Sequence, residues 1–162
     1  MKSLFLALLL VICGFGLAQT KTETEPPIVA GRGWGDVNVG AKRQSVERVL
    51  GTGEGDEGSK YLDGVYFREY PQHGIQVSFT HKEDKVVAIF FYNKQHRYEN
   101  LATASVKTDK GIDWSASPDQ VKKAYGKPKE NYSGTGWRRM VFEGIDFRWE
   151  NGVMVRIGIP GH

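Results

Sequence analysis

Two stretches of the chain, 37–51 and 112–126, share one order of apolar and polar positions and stand 75 positions apart. Apolar residues fall at i, i+3 and i+4 in both stretches, as at Val121, Ala124 and Tyr125. A glycine ends each stretch, as is common at a helix C-terminus. The pattern predicts two short amphipathic helices, and helices of this length are stable only when they pack on other elements.

Alternating apolar and polar residues follow each predicted helix and indicate antiparallel strands. Ile75, Val77 and Phe79 alternate with polar residues, so one face of this strand is expected to pack on the helix and the other to face outward. Residues 86–92 are apolar on both faces, which is typical of a central strand. The predicted strands are 66–70, 75–79 and 86–92 after the first helix, and 137–142, 145–149 and 153–159 after the second.

The repeated order of helix and strands predicts an α+β fold with two tandem units. Each unit is a helix followed by a three-stranded antiparallel meander, and the two units are expected to share one sheet with both helices on one face. The expected organisation is a signal peptide at 1–18, a flexible leader at 19–30, repeat unit 1 at 31–93, a connector at 94–106 and repeat unit 2 at 107–162. Within the leader, the folded part is expected to begin near Ile28, after a proline pair.

The first residues have the order of a secretory signal. Lys2 precedes an apolar run from Leu4 to Ile12, and Ala18 ends a segment of small residues that suits cleavage. The apolar run is shorter than the roughly 20 residues that a membrane-spanning helix needs. We therefore expect cleavage after Ala18 and export to the periplasm or outside the cell.

Cys13, the one cysteine of the chain, has two interpretations. It is either discarded with the signal peptide or lipidated as in bacterial lipoproteins, although Ile12 precedes it where lipoprotein signals usually carry a small residue. Membrane attachment is expected only if Cys13 is lipidated. One cysteine cannot form a disulfide within the chain, so a disulfide scaffold is excluded.

The composition narrows the class of protein further. The chain has 162 residues, 40% of them hydrophobic and 12% aromatic, which is enough apolar material to bury a core and excludes intrinsic disorder. A net charge of +3 is too small and too evenly mixed to indicate nucleic-acid binding.

Catalytic and metal-binding motifs are not found in the sequence. The spacing of the histidines does not fit a zinc site; they are His73, His81, His96 and His162. Ser115 and Ser117 lack a nucleophile motif and are expected to serve the start of the second helix. The glycine-rich run 51–55 lacks the Gly-Lys-Ser/Thr end of a phosphate-binding loop. We therefore expect no enzymatic activity, no metal and no cofactor.

Segments 39–51 and 115–126 carry a resemblance to known proteins, because each leads into a helix that ends in Leu-Gly or Tyr-Gly. With its tandem units the chain resembles the secreted β-lactamase inhibitory protein family, and it is also similar to the small outer-membrane assembly lipoproteins, which carry a single related unit. The resemblance covers most of residues 35–159. It implies a concave sheet that grips another protein, with helices on the convex side. The inhibitors' disulfides are missing here, and no segment matches closely enough for an inhibitory residue to be carried over.

Aromatic and basic residues on the predicted strands are candidates for a binding surface. Tryptophan and arginine bury large areas and make forked hydrogen bonds, so they often anchor interfaces. The candidate residues at outward positions are Trp137, Arg138, Arg139, Arg148 and Arg156, with Tyr66, Arg68 and Tyr70 as their counterparts in the first unit. In the alternative interpretation, Trp137 closes the core and the arginines only keep the sheet soluble.

These features favour an exported, non-catalytic protein-binding module that uses an open antiparallel sheet face. The expected partner is a protein of the bacterial envelope or outside the cell, and no nucleic acid is expected. An outer-envelope assembly or structural factor is the alternative, which a lipid on Cys13 would favour. A small hydrolase has the least support.

Overall fold

The described part of the chain is built mainly from β-strands. The structure is a computed structural model and describes residues 25–55, 64–94 and 100–161. Its helices are α1 (Arg43–Leu50) and α2 (Pro118–Tyr125), with a short 3-10 helix at Pro71–His73. Its strands are β1 (Ile28–Val29), β2 (Gly33–Trp34), β3 (Val37–Asn38), β4 (Val65–Tyr70), β5 (Ile75–Thr80), β6 (Val86–Tyr92), β7 (Glu130–Gly134), β8 (Trp137–Phe142), β9 (Ile145–Glu150) and β10 (Val153–Pro160).

Seven strands form the main sheet, in the order β4-β5-β6-β10-β9-β8-β7, with every neighbouring pair antiparallel. Strands β1, β2 and β3 form a second, small sheet. The run 86–92, which is apolar on both faces, becomes β6 and pairs with β5 on one side and β10 on the other. Its predicted central position is therefore confirmed.

The predicted fold class is wrong. Over residues 25–55, 64–94 and 100–161 the fold is mostly β, with a three-stranded and a seven-stranded sheet and two eight-residue α-helices, and it is not a pair of helix–three-stranded meander units. Two groups of strands escaped the pattern for physical reasons. Strands β1 and β2 have two residues each, which is too short for an alternation to show. Strand β7 consists of exposed residues at the edge of the sheet, so nothing selects for apolar positions there.

One face of the main sheet, called here the core face, is continuous and apolar. Alternation on each strand brings neighbouring side chains into a row across five strands, and each is at most 1% exposed: Ile75, Phe91, Ile157, Phe147 and Met140. Val46 of α1 and Val121 of α2 are fully buried in the same core cluster. The helices therefore pack on this face through Val46 and Val121, while Val49 of the predicted stripe of α1 is 44% exposed. The opposite face of the sheet, called the open face, carries the polar positions.

Two local sequence signals are confirmed. At the start of α2, the Ser117 hydroxyl accepts a hydrogen bond from the Gln120 backbone N–H at 3.3 Å, and the Gln120 side chain accepts one from the Ser117 N–H at 2.8 Å. This reciprocal pair is a capping box. Between β9 and β10, Asn151 and Gly152 have φ values of 49° and 83°, as a two-residue hairpin turn with two left-handed positions requires.

The expected N-terminal organisation lies partly outside the described residues. The predicted signal peptide, with Cys13, and the leader up to residue 24 are among the residues that the structure does not describe. Ile28 is fully buried, and its N–H donates to the Lys107 carbonyl at 2.8 Å. The last residues of the expected leader 19–30 therefore belong to the folded protein. The folded part includes Ile28, near which it was expected to begin. No helix within the described ranges is long and apolar enough to cross a bilayer.

Candidate functional site

The eight predicted binding residues are divided between the two faces of the main sheet. Strand alternation puts Trp137 and Arg139 on the open face, where they lie opposite Glu150 and Arg148 of β9. Arg138 lies between them in sequence and opposite Trp149, so it belongs to the core face. It lines a concavity of about 240 Å³ at the end of the sheet, together with Trp137, Trp149 and Pro118. Arg138 is therefore not part of the surface that Trp137 and Arg139 share.

The three candidates on β4 also lie on the core face and not at outward positions. Tyr66 is 4% and Tyr70 2% exposed, and the Tyr66 ring stacks on Phe79 with ring centroids 5.5 Å apart. Arg68 donates from Nη1 to the carbonyls of residues 53 and 55 at 3.2 and 3.3 Å. These residues pack the core and hold a loop, and the predicted counterpart patch in the first half of the sheet is not present at these positions.

Tyr66 also belongs to a cluster of charged side chains at the end of the β5–β6 hairpin. Its hydroxyl donates to Asp84, and Arg43 of α1 donates from Nε to the same carboxylate at 3.0 and 3.2 Å. Burial alone would raise the pKa of Asp84, but the hydrogen bonds from Tyr66 and Arg43 lower it by more. The pKa of Asp84 therefore lies below its ordinary value of 3.8. Tyr70 lies nearby in the core, where burial raises its pKa to about 12. We assign this cluster to the attachment of α1 to the sheet.

The remaining candidates form a row across three adjacent strands of the open face. Arg139 of β8 lies directly opposite Arg148 of β9, and Arg148 lies opposite Arg156 of β10. We call Arg139, Arg148 and Arg156 the arginine row. Tyr132 of β7 and Tyr92 of β6 lie opposite the two outer arginines and end the row. Like charges directly opposite each other on neighbouring strands are destabilising, so the row needs compensation.

Two carboxylates that were not predicted provide this compensation. Asp146 is fully buried and accepts hydrogen bonds from Arg139 Nη2 at 2.9 Å and from Arg156 Nη2 at 3.0 Å. Glu150 pairs with Arg148 at 2.8 Å. Alternation along β9 predicts that Asp146 points outward. The sequence does not show which strands lie beside β9, and the burial of Asp146 depends on those strands.

A glycine makes room for the buried carboxylate. Gly158 of β10 lies opposite Asp146, and a Cβ atom at this position would stand 2.8 Å from Asp146 Oδ2 and 3.1 Å from the Phe90 ring. Any larger residue would push the carboxylate away from the two guanidinium groups. The glycine therefore lets Asp146 sit beneath the arginine row.

Aromatic rings flank the arginines. The Arg148 guanidinium lies 5.8 Å from the centroid of the Trp137 ring, and that of Arg156 lies 4.9 Å from the Phe90 ring. Trp137 is 39% and Tyr132 47% exposed, which is high for large aromatic side chains. Of the eight predicted binding residues, Trp137 and the three residues of the arginine row therefore lie together on the open face.

The side chains of the row differ in exposure from their carboxylate partners. Arg139 is 37% and Arg148 32% exposed, while Asp146 is not exposed at all. These two cationic side chains are therefore partly exposed to solvent, while the carboxylate of Asp146 is buried. Such an arrangement can bind carboxylates of a partner through forked hydrogen bonds.

The two histidines that the structure describes, His73 and His81, do not join this surface. His73 ends the 3-10 helix, and the His81 ring lies 5.1 Å from Tyr66 near the Asp84 cluster. His96 and His162 lie outside the described residues. Within the described ranges, no group of three His, Cys, Asp or Glu side chains is arranged to hold a metal ion.

No family model, curated protein or solved structure matches the chain. The resemblance to the β-lactamase inhibitory proteins and the assembly lipoproteins therefore stays a prediction.

Proposed function

We propose that this chain is an exported, non-catalytic protein-binding module whose contact surface is centred on the arginine row and Trp137. The observation that carries the proposal is the alignment of three arginines on adjacent strands, beside an exposed tryptophan, on the open face of the main sheet. Arginine and tryptophan are the residue types that most often dominate the binding energy of protein interfaces. Export rests on the signal-like residues 1–18.

The arrangement of charge supports a partner with acidic side chains. Asp146 takes no part in the exposed surface, so the accessible ends of Arg139 and Arg148 are cationic. Guanidinium groups bind carboxylates in a forked geometry, and Trp137 adds apolar area next to them. A partner of this kind is a protein of the envelope or of the surroundings of the cell that presents Asp and Glu around an apolar centre.

The sheet holds the arginines before a partner binds. Arg139 and Arg156 are fixed through Asp146, and Arg148 through Glu150, at distances between 2.8 and 3.0 Å. Side chains that are already held in place lose less conformational freedom on binding, which favours affinity. The carboxylates thus both offset repulsion in the row and orient it.

The test compares capture of envelope and secreted proteins by the immobilised wild-type chain and by single alanine variants. Trp137→Ala and Arg148→Ala should each weaken capture by roughly 30-fold, which corresponds to about 2 kcal/mol for an interface anchor. Arg138→Ala is the matched control, because Arg138 is next to Trp137 in sequence but lies on the core face. Capture should also weaken as salt is raised, since exposed charges are screened.

Two results would contradict the proposal. One is capture that Trp137→Ala and Arg148→Ala leave unchanged, which would move the contact surface elsewhere. The other is an equal loss in Arg138→Ala without loss of stability, which would move the contact surface from the arginine row to the concavity that Arg138 and Trp137 line together. Thermal unfolding of each variant separates loss of binding from loss of structure.

A further inference from the structure

The two edges of the main sheet are treated differently. At the β4 edge, Glu54 adds a short backbone pairing: its N–H donates to the Glu69 carbonyl at 2.8 Å, and the Glu69 N–H donates to the Glu54 carbonyl at 2.7 Å. At the other edge, all five residues of β7 are exposed, and within the described residues no strand or bridge pairs with the free side of β7. The β4 edge therefore carries a backbone pairing at Glu69, whereas among the described residues the β7 edge carries none.

The geometry of the β7–β8 hairpin determines which backbone groups of β7 are free. A two-residue loop joins Gly134 to Trp137, so these two form the closing hydrogen-bonded pair of the hairpin. Hydrogen-bonded and non-hydrogen-bonded pairs then alternate along the strand, and Tyr132 also bonds to β8. Asn131 and Ser133 therefore direct their N–H and C=O groups away from the sheet.

Strand β7 has little of the usual protection of an edge, because its one charged residue, Glu130, stands at its first position. Natural edge strands are protected by lysine and other charged side chains, by proline, by a bulge or by very short length. The sequence of β7, Glu-Asn-Tyr-Ser-Gly, has no lysine and no proline. An extended strand can add to such an edge through its backbone alone.

We propose that β7 pairs with β7 of a second copy of this chain, antiparallel and centred on Tyr132. In this register Asn131 lies opposite Ser133 of the second copy and Ser133 opposite its Asn131, so four backbone hydrogen bonds form across a two-fold axis. Tyr132 lies opposite Tyr132 of the second copy, as a non-hydrogen-bonded pair on the open face. Aromatic pairs at such positions stabilise a sheet.

The sequence of β7 is complementary to itself in this register. Glu130, the one charged residue of the strand, lies opposite Gly134 of the second copy, so no like charges face each other. The two-fold axis runs perpendicular to the sheet, and both open faces therefore point to the same side. The two arginine rows then lie on one continuous surface. The pairing itself does not depend on what the arginine row binds.

The dimer is expected to be weak. Two five-residue strands bury less than the roughly 1,000 Å² that a stable interface usually needs. The copies should therefore separate on dilution and associate at high concentration. Disulfide trapping suits such a contact, because it records a register that is populated only part of the time.

The first test uses the full chain with Cys13→Ser and one new cysteine. Tyr132→Cys places two cysteines on directly opposite residues, with Cα atoms about 4.5 Å apart, within the range of a disulfide. Glu130→Cys is the matched control on the same strand and face: its two copies stand roughly 14 Å apart along the strands, too far for a bond. Both variants lose the same Tyr132–Glu130 hydrogen bond of 2.6 Å.

In a glutathione redox buffer, Tyr132→Cys should give at least about tenfold more covalent dimer than Glu130→Cys, because only the former satisfies disulfide geometry. Equal yields, or no dimer from Tyr132→Cys, would overturn the proposed register.

The second test is a charge exchange that leaves the core untouched. The double variant Asn131→Lys, Ser133→Lys sets lysine against lysine across the interface, and Asn131→Glu, Ser133→Glu sets glutamate against glutamate. Each should sediment as a monomer, and an equimolar mixture should recover dimers. A wild-type chain that stays monomeric up to about 1 mM, or variants that associate as the wild type does, would refute the proposal.

Discussion

Replacing Asp146 by asparagine tests whether the buried carboxylate holds the arginine row together. The substitution removes one negative charge and changes the shape of the side chain very little. Asp146 is fully buried and accepts hydrogen bonds from Arg139 and Arg156 on two different oxygens, at 2.9 and 3.0 Å. After the substitution, the arginine row keeps three positive charges with Glu150 as the nearest remaining counter-charge.

The magnitude follows from these contacts. Two hydrogen bonds to a charged group contribute about 3–6 kcal/mol together. Asparagine still accepts one bond and avoids the cost of burying a carboxylate, and Arg139 is 37% exposed, so its charge is partly screened. We therefore expect Asp146→Asn to lower the free energy of unfolding by about 2–3 kcal/mol.

Urea-induced unfolding, followed by tryptophan fluorescence at pH 7, measures this change. Asp119→Asn is the control, because the Asp119 carboxylate pairs with Lys122 at the surface with its side chain 89% exposed, and its loss should have no measurable effect. Adding Arg156→Gln to Asp146→Asn should restore part of the stability, since one of the three repelling charges is then gone. A value for Asp146→Asn within about 0.5 kcal/mol of the wild type would refute the reasoning, and so would a double variant less stable than the single one.

Two further predictions concern the attachment of the helices to the sheet. Ser117→Ala removes the hydroxyl of the capping box and should lower the free energy of unfolding by about 1 kcal/mol. Ser117→Asp keeps a hydrogen-bond acceptor and should lower it by less. Equal losses of the two variants in urea unfolding would contradict the role of Ser117 as the N-cap. Asp84→Asn keeps a side chain that tolerates the φ of 55° at this position and removes the charge. Because the pKa of Asp84 is lower in the folded protein, its carboxylate stabilises the fold above the ordinary value of 3.8, and this contribution is lost as the pH falls through the lower pKa. The unfolding temperature, measured at a series of pH values, should therefore fall less steeply below about pH 4 in Asp84→Asn than in the wild type. An unchanged slope would contradict the role of Asp84 in attaching α1 to the sheet.

The elements that the sequence predicted well are those with an apolar side. Helix α2 shows a stripe, a cap and a terminating glycine within ten residues, and each signal has a local physical cause. Strands β5 and β9 alternate because one face meets the core. Strand β7 shows no such signal. Its five residues are exposed and are held by backbone pairing with β8, which any residue except proline can provide.

The errors at the candidate site concern the face of the sheet on which a residue lies, and not the strand to which it belongs. Trp137 and Arg138 are neighbours on a strand, so they cannot point to the same side. Tyr66 and Tyr70 alternate correctly, but Phe67 lies between them, so both sides of β4 carry aromatic residues. Only the pairing of Tyr70 with Ile75, across the turn to β5, shows that the tyrosines belong to the core face.

The arginine row depends on one irregularity that alternation alone cannot show. Along β10 the pairing with β9 shifts between Met154 and Arg156, so Val155 is an extra residue. In a regular ladder Val155 would lie opposite Arg148, and Arg156 would lie opposite Phe147 in the core, where a guanidinium is costly. Because Val155 is the extra residue of the irregular pairing and is itself 1% exposed, Arg156 turns to the open face and joins the row. Bulges commonly redirect side chains next to functional sites, and this one supplies the third arginine of the proposed binding surface.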